Sequence, residues 1–289
     1  MGYCFKKQLF LYNEIMWILL IVLILYLFLI YPGRSARKEQ MKPFERVYLT
    51  HRGFYDNVTI PENSLKAFQK TVRNGMGTEL DVQMTRDGKL VVFHDHDLKR
   101  MCDVDKTIGE CSCEELQQYS LLDTEEKIPL FEEVLKILKA DTPLIIEIKP
   151  ENNAIETTEE TIRMMQSYDR IFCMESFDPR VVYHLRKHHP EIIRGQLAYD
   201  MFKDENNTQP WIISFLLTNL LVDFLIKPDF IAYHVHSRNN LSFLICSRLF
   251  RTECVAWTVQ SEDDLAYARK YYKQVIFDSF IPSDITVCD

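Results

Sequence analysis

"TELDVQMTRDGKLVVFHD", residues 78–95, holds two β-like runs joined by Asp87-Gly88. Asp-Gly between two such runs is a strong hairpin signal, because a tight two-residue turn needs the positive φ that these residues accept. With Asp87 and Gly88 as the central pair, Arg86 opposes Lys89, and counting back along the ladder sets Asp81 opposite His94. Cross-strand partners share a face of the sheet, and residues two apart on one strand point the same way. The stretch is therefore expected to gather Glu79, Asp81 and His94. Its second run reads as a hairpin arm that interrupts the wider alternation around it.

That alternation fills the chain from residue 43 onward. Short apolar runs occur at "RVYLTH" (46–51), "GTELDV" (77–82), "PLIIEI" (143–148), "RIFCME" (170–175), "IIRGQL" (192–197), "DFIAYH" (229–234), "CVAWTV" (254–259) and "QVIFD" (274–278). Amphipathic stretches lie between them, such as "SLKAFQKTVRNG" (64–75), with Asn63 or Ser64 to cap its start and Gly75 to end it. "LFEEVLKILK" (130–139) and "SEDDLAYARKYY" (261–272) read the same way. Eight strand–helix units predict an α/β fold, a (β/α)8 TIM barrel with a β-hairpin after strand 2. A composition of 47% hydrophobic and 26% charged residues supplies a packed core and argues against disorder.

Ahead of the barrel, "IMWILLIVLILYLFLIY" (15–31) is an uncharged apolar run of 17 residues. It predicts one N-terminal transmembrane helix, with Trp17, Tyr26 and Tyr31 among its interfacial anchors. It is too long and bulky for a signal-peptide core, and no small-x-small cleavage site follows. The expected organisation is a short tail (1–14), a membrane anchor (15–31), a basic linker (32–45) and a barrel (46–289). Four basic residues follow the span and two precede it, so a single-pass membrane protein is expected, and the positive-inside rule places its barrel on the cytoplasmic side. Net charge is −8 overall; residues 1–42 carry +4, leaving −12 on the body. An acidic body excludes nucleic acid as a partner, and no protein partner is predicted. The eight cysteines include no C-x-x-C pair and read as ordinary reduced thiols. A second apolar stretch, "WIISFLLTNLLVDFLI" (211–226), has a narrow polar face of Ser214, Thr218 and Asp223. It reads either as a helix packed on the barrel or as one that contacts a lipid monolayer.

Barrel chemistry lies at the C-terminal ends of the strands. Those ends carry His51-Arg52, Glu79 and Asp81, Glu147 and Lys149, Glu175, His234 and His236, Trp257, and Asp278. Glu79, Asp81 and Glu147 converging from two strands would repel one another without a cation, and hard oxygen ligands select Mg2+ or Ca2+. Such an ion beside Arg52 and Lys149 makes a cationic floor for a phosphate. His51 and His94 are suited to act as base and acid near neutral pH. The plainer alternative for the Glu79/Asp81 pair is a solvated strand face.

These residues carry a resemblance. The series "HRG…PENS…AF…G…ELDVQMTRDG…VVFHD…L", then "IPLFEEVL", "IEIK", "ESF" and "AWTV", resembles the glycerophosphodiester phosphodiesterase family over most of residues 47–278. The resemblance implies a (β/α)8 barrel with one divalent metal that cleaves glycerophosphodiesters to an alcohol and glycerol phosphate. It implies His51 and His94 as the catalytic pair, Arg52 and Lys149 on the phosphate, and Trp257 in the substrate pocket. It implies Glu79, Asp81 and Glu147 as metal ligands. Glu62, in the "PEN" turn, falls on a motif position, with a role in local structure or in the site. The chain departs from the family's usual pattern at Phe277-Asp278, where Thr-Asp is common, and at Met101-Cys102, where Thr-Thr is usual. Two other functions fit the same residues: a lysophospholipase D-like enzyme acting on membrane lysolipids, and a membrane-tethered barrel that binds phosphodiesters without cleaving them.

Overall fold

Every one of the eight apolar runs forms a strand in the computed structural model, which describes residues 2–33, 37–151, 153–167 and 171–287. Arg34, counted above in the basic flank, Arg170, at the start of the fourth run, and Cys288 lie outside the described residues. The strands are β1 (Leu49–Thr50), β2 (Gly77–Met84), β3 (Leu90–Val92), β4 (Leu144–Ile148), β5 (Phe172–Ser176), β6 (Arg194–Ala198), β7 (Phe230–His234), β8 (Glu253–Val259) and β9 (Gln274–Phe277). All but β3 pair in parallel, and β1 bonds both β2 and β9, so the sheet closes into an eight-stranded barrel. Around it run α2 (Leu65–Arg73), α5 (Phe131–Ile137), α6 (Ala154–Met165), α7 (Pro179–His188), α8 (Trp211–Thr218), α9 (Asp223–Ile226), α10 (Leu241–Leu244) and α11 (Glu262–Tyr271). The short α3 (Lys99–Cys102) and α4 (Cys113–Leu116) belong to an insert after β3, and α1 (Gly2–Leu29) precedes the barrel.

Strand β4 shows how the sequence sets the site. Its alternate residues Leu144, Ile146 and Ile148 pack outward on Phe131, Val134 and Ile162 of the helix layer. Ile145 points inward with Cys173, Phe230 and Val255. Period-two alternation then puts Glu147 inside the barrel, above Ile145 and toward the C-terminal mouth. At Gly195 the interior leaves no room for a side chain, since a Cβ there would lie 2.2 Å from the Phe230 ring.

Three expectations change. The hairpin exists, but its register is Val82↔Val92, Gln83↔Val91 and Met84↔Leu90. That sets Thr85 opposite Lys89 and makes the turn a three-residue loop, Arg86-Asp87-Gly88, with Gly88 at φ 75° and its amide bonded back to the Thr85 carbonyl. Phe93, not His94, lies opposite Asp81, its amide donating to the Asp81 carbonyl. The segment expected as a basic linker instead includes a 3-10 turn, Lys38–Arg46. Its Met41 and Phe44 are fully buried in the barrel interior, closing the end opposite the mouth. Arg37 pairs with Asp229 at 3.1 Å and Lys38 with Glu253 at 2.8 Å, so two of the flanking basic residues serve the barrel rim. The 211–226 stretch is two helices, α8 and α9, whose Ser214, Thr218 and Asp223 are buried.

Candidate active site

Three carboxylates meet at the barrel mouth. Glu79 and Asp81 come from β2, and Glu147 from β4, where the register sets Asp81 beside Glu147. All three are buried, and each offers an oxygen within 4.8 Å of the others. Glu79 Oε1 and Asp81 Oδ1 have no hydrogen-bond donor. Buried carboxylate oxygens left without donors are costly, so this all-oxygen set fits a hard divalent cation. Burial, then the Asp81 and Glu147 charges, hold the Glu79 carboxyl well above the usual range. Burial also pushes Glu147 up to about 7, with Lys149 pulling the other way. Against burial, the Lys149, His94 and Arg52 charges keep Asp81 well below the usual range. A fourth carboxylate, Glu175 of β5, lies beside Glu147 in register with its Oε2 buried and unpartnered.

Two cations thread this cluster. Lys149 Nζ donates to Glu147 Oε1 at 2.8 Å and lies 3.4 Å from Asp81 Oδ1. Arg52 sits in the left-handed backbone region at φ 56°. That turn lets its amide donate to Glu79 Oε2 at 3.1 Å while its guanidinium Nε lies 3.5 Å from Asp81 Oδ2. Gly53 follows at φ 80°, where a Cβ would meet Ala67 Cβ at 2.7 Å, so the turn requires glycine. Arg52 Nη1 donates to Glu62 Oε1 at 2.8 Å, and Arg100 grips the same carboxylate at 2.6 and 3.0 Å. Against burial, Arg100 and Arg52 hold Glu62 down at about 2. Asn63 Nδ2 donates to Asp81 Oδ2 at 2.8 Å. The "PEN" turn thus touches both the guanidinium and the acidic cluster.

Each histidine is backed by a carboxylate. His51 Nδ1 lies 2.6 Å from Asp278 Oδ2, and Asp278 also accepts from Tyr55, Gln260 and Ser279. His94 Nδ1 lies 2.7 Å from Asp95 Oδ1, and Arg100 holds Asp95 in turn. A carboxylate can only accept, so each ring carries its proton on Nδ1 and presents Nε2. Burial and the Arg52 charge lower His51; burial and the Lys149 charge push His94 down to about 4. Gln83, buried on β2, donates through Nε2 to the carbonyls of Phe93 (2.9 Å) and Asp95 (2.7 Å), fastening the backbone on both sides of His94. The mouth opens into a cavity of about 500 Å³ lined by His94, Lys149, Phe177, Tyr199, His234 and Trp257. Trp257 Nε1 donates to the Ala232 carbonyl at 2.9 Å, and its ring stands edge-on to Phe177. His236 lies at the rim, its side chain 54% exposed and 3.5 Å from Asp264.

His51, Arg52, Glu79, Asp81, His94, Glu147 and Lys149 therefore converge; Glu62 joins through Arg52, and Trp257 walls the adjoining cavity. Sequence reasoning left Asp278, Arg100 and Gln83 without a role and offered Asn63 as a helix cap. Asp278 carried a signal, its place at the end of the last strand, and Asn63 stood in the "PEN" motif; Arg100 carried none.

Residues 51–281 match the family model of the glycerophosphoryl diester phosphodiesterases. A glycerophosphodiester phosphodiesterase of Bacillus altitudinis is 33% identical over 164 residues, 52% of this chain and 66% of that protein. Glycerophosphodiester phosphodiesterase 1 of Homo sapiens is 24% identical over 294 residues, 86% of this chain and 82% of that protein. The crystal structure of a glycerophosphodiester phosphodiesterase from Thermotoga maritima, 26% identical, superposes with a TM-score of 0.62 over 81% of this chain and 94% of its own. The family match begins at His51 and runs past Asp278, taking in the acidic cluster, both cations and both histidine–aspartate pairs. On that ground the chain belongs to the glycerophosphoryl diester phosphodiesterase family, whose members are phosphoric diester hydrolases.

Proposed function

We propose that this chain hydrolyses glycerophosphodiesters to glycerol phosphate and an alcohol, using His51 and His94 as its acid–base pair. One observation carries the reading: three buried carboxylates, two cations and two carboxylate-backed histidines meet at one barrel mouth. Glu79, Asp81 and Glu147 would hold one divalent cation, Mg2+ or Ca2+, which when bound supplies positive charge against the phosphoryl oxygens. Arg52, clamped by Glu62, and Lys149 bind the phosphodiester anion and offset the charge its oxygens gain in the transition state. One imidazole Nε2 takes the proton of the attacking hydroxyl as the new P–O bond forms. That hydroxyl is water's, or the adjacent glycerol's, in which case a cyclic phosphate forms and water then opens it to glycerol phosphate in a second displacement. The other imidazole, protonated, delivers its proton to the leaving oxygen as the old P–O bond breaks. Burial and the cations favour the neutral imidazole, the form a base requires, and the arriving anion favours the protonated partner. Trp257, with Phe177 and Tyr199, bounds the substrate beyond the phosphorus.

A second reading rests on a separate feature. A groove of about 380 Å³, lined by Phe177, Met201, Ile213, Leu216, Leu217 and Val222, adjoins the cavity through Phe177 and Met201. It suits the acyl chain of a lysolipid, and α1, with its apolar window Tyr12–Leu29, suits a single-pass membrane anchor. The basic excess after that span favours a cytoplasmic barrel.

The test is a panel of soluble glycerophosphodiesters beside a lysophospholipid in micelles, with Mg2+ or Ca2+ supplied and then removed by EDTA. Release of glycerol phosphate that EDTA abolishes is expected. No product from any diester with either cation present would leave only a binding barrel and overturn the proposal.

A further inference from the structure

Helix α1 meets the barrel in a defined direction. Tyr26 Oη lies 2.8 Å from Ser242 Oγ, and Cys246 Sγ donates to the Ile30 carbonyl at 3.2 Å. The Tyr31 ring then stands edge-on to Phe250 at 5.1 Å. Residues 242–250 descend from the catalytic face, just beyond the C-terminal end of β7, to the opposite face, where β8 begins at Glu253. Since α1 descends beside them, its earlier residues project past the catalytic face. Exposure follows suit: every residue from Tyr12 to Leu25 is exposed, and burial starts at Tyr26. At about 1.5 Å per residue, that span raises roughly 20 Å of helix above the mouth, apolar throughout from Ile15 onward.

A second observation lies on the same face. Helix α8 is amphipathic in the reverse sense for a water-facing helix. Its polar Ser214 and Thr218 are buried, accepting hydrogen bonds from Asn207 Nδ2 (2.9 Å) and the Met201 amide (3.1 Å). Its apolar residues face out, with Trp211 66% and Ile212 51% exposed. Val58, Phe202, Leu241 and Ile281, all exposed, likewise follow C-terminal strand ends.

We propose that the catalytic face lies against the bilayer that α1 spans, and that the site draws its substrate from the adjoining leaflet. The polar head enters the mouth, and the apolar part lies in the groove between α7 and α8. This rests on the phosphodiesterase reading of the site and on α1 as a membrane span.

The full chain in phosphatidylcholine vesicles tests it. In a Trp17→Phe background, Trp211 emission should be quenched by lipids brominated on the acyl chain; a Trp17→Phe/Trp211→Phe control subtracts Trp257. Quenching by aqueous iodide instead overturns the proposal. Independently, Trp211→Glu combined with Ile212→Glu should lower turnover of lysophosphatidylcholine in the same vesicles by at least ~10-fold, as two charges set against an apolar contact imply. Turnover of soluble glycerophosphocholine should not fall. Leu249→Glu, on the opposite face and 65% exposed, should change neither. Equal losses from both faces, or undiminished lipid turnover in the Trp211/Ile212 variant, also overturn it. If the wild type turns over neither substrate, the phosphodiesterase reading fails, while the quenching still decides how the catalytic face lies.

Discussion

Asp278 stands to His51 as Asp95 stands to His94: each accepts from Nδ1 and leaves Nε2 for the substrate. An amide in place of Asp278 can donate to Nδ1 and stabilise the other tautomer. Asp278→Asn is therefore expected to lower kcat by roughly 10²–10⁴-fold, the range for losing a positioned acid or base, with an unchanged melting temperature as the check on folding. The acidic cluster gives a pH prediction. Glu79 and Glu147 are raised in the folded protein, Glu147 to about 7, so at these two positions the cation-free fold binds more protons than the unfolded chain. Their contribution to stability is present at low pH and is lost as pH rises from the unfolded carboxylate value of about 4.3 through about 7. A bound cation reverses that loss by using the ionised form. The thermal shift on adding Mg2+ or Ca2+ should be larger at pH 8 than at pH 5.5, with protons released on titration; equal shifts at the two pH values would contradict the assignment of these ligands.

The hairpin shows where a local signal stops. Asp87-Gly88 marked the turn and both strands, yet the register is one residue off, because Gly88 closes a three-residue loop rather than a two-residue one. A one-residue slip reverses faces along a ladder, but His94 lies beyond its end at Val92, and Gln83 holds the chain there by two carbonyls. Gln83→Leu removes both donors and should lower kcat more than it raises KM, since His94 loses its position while the phosphate contacts stay; a change confined to KM would argue against this role. The 3-10 turn Lys38–Arg46 was illegible for a different reason. Nine residues with five charges and Pro43 show neither strand nor helix periodicity, and only Met41 and Phe44 face inward. They are buried nonetheless, so Met41→Ala should destabilise by about 2–5 kcal/mol and Phe44→Ala by about 3–5 kcal/mol in denaturant unfolding. A flexible linker there would show no loss.

At the scale of the whole molecule, the barrel was legible because its strands are buried on both faces and read as apolar runs, with acid or base appearing where most of the runs reach the mouth. Long-range pairing was not. His51 and Asp278 are 227 residues apart, and Arg100 reaches Glu62 across 38; no local pattern announces either contact. The acidic body and basic N-terminal flank described charge correctly, while Arg37 and Lys38 turned out to serve the barrel rim. The family match and the closed barrel identify a diester hydrolase, and the histidine pair is the claim on which its proposed chemistry depends. The direct measurement is the steady-state release of glycerol phosphate from glycerophosphocholine by the wild type, His51→Ala and His94→Ala, each folded and each supplied with Mg2+ or Ca2+. Both variants are expected to lose at least ~10²-fold in kcat. Wild-type turnover in either variant would contradict the acid–base pair.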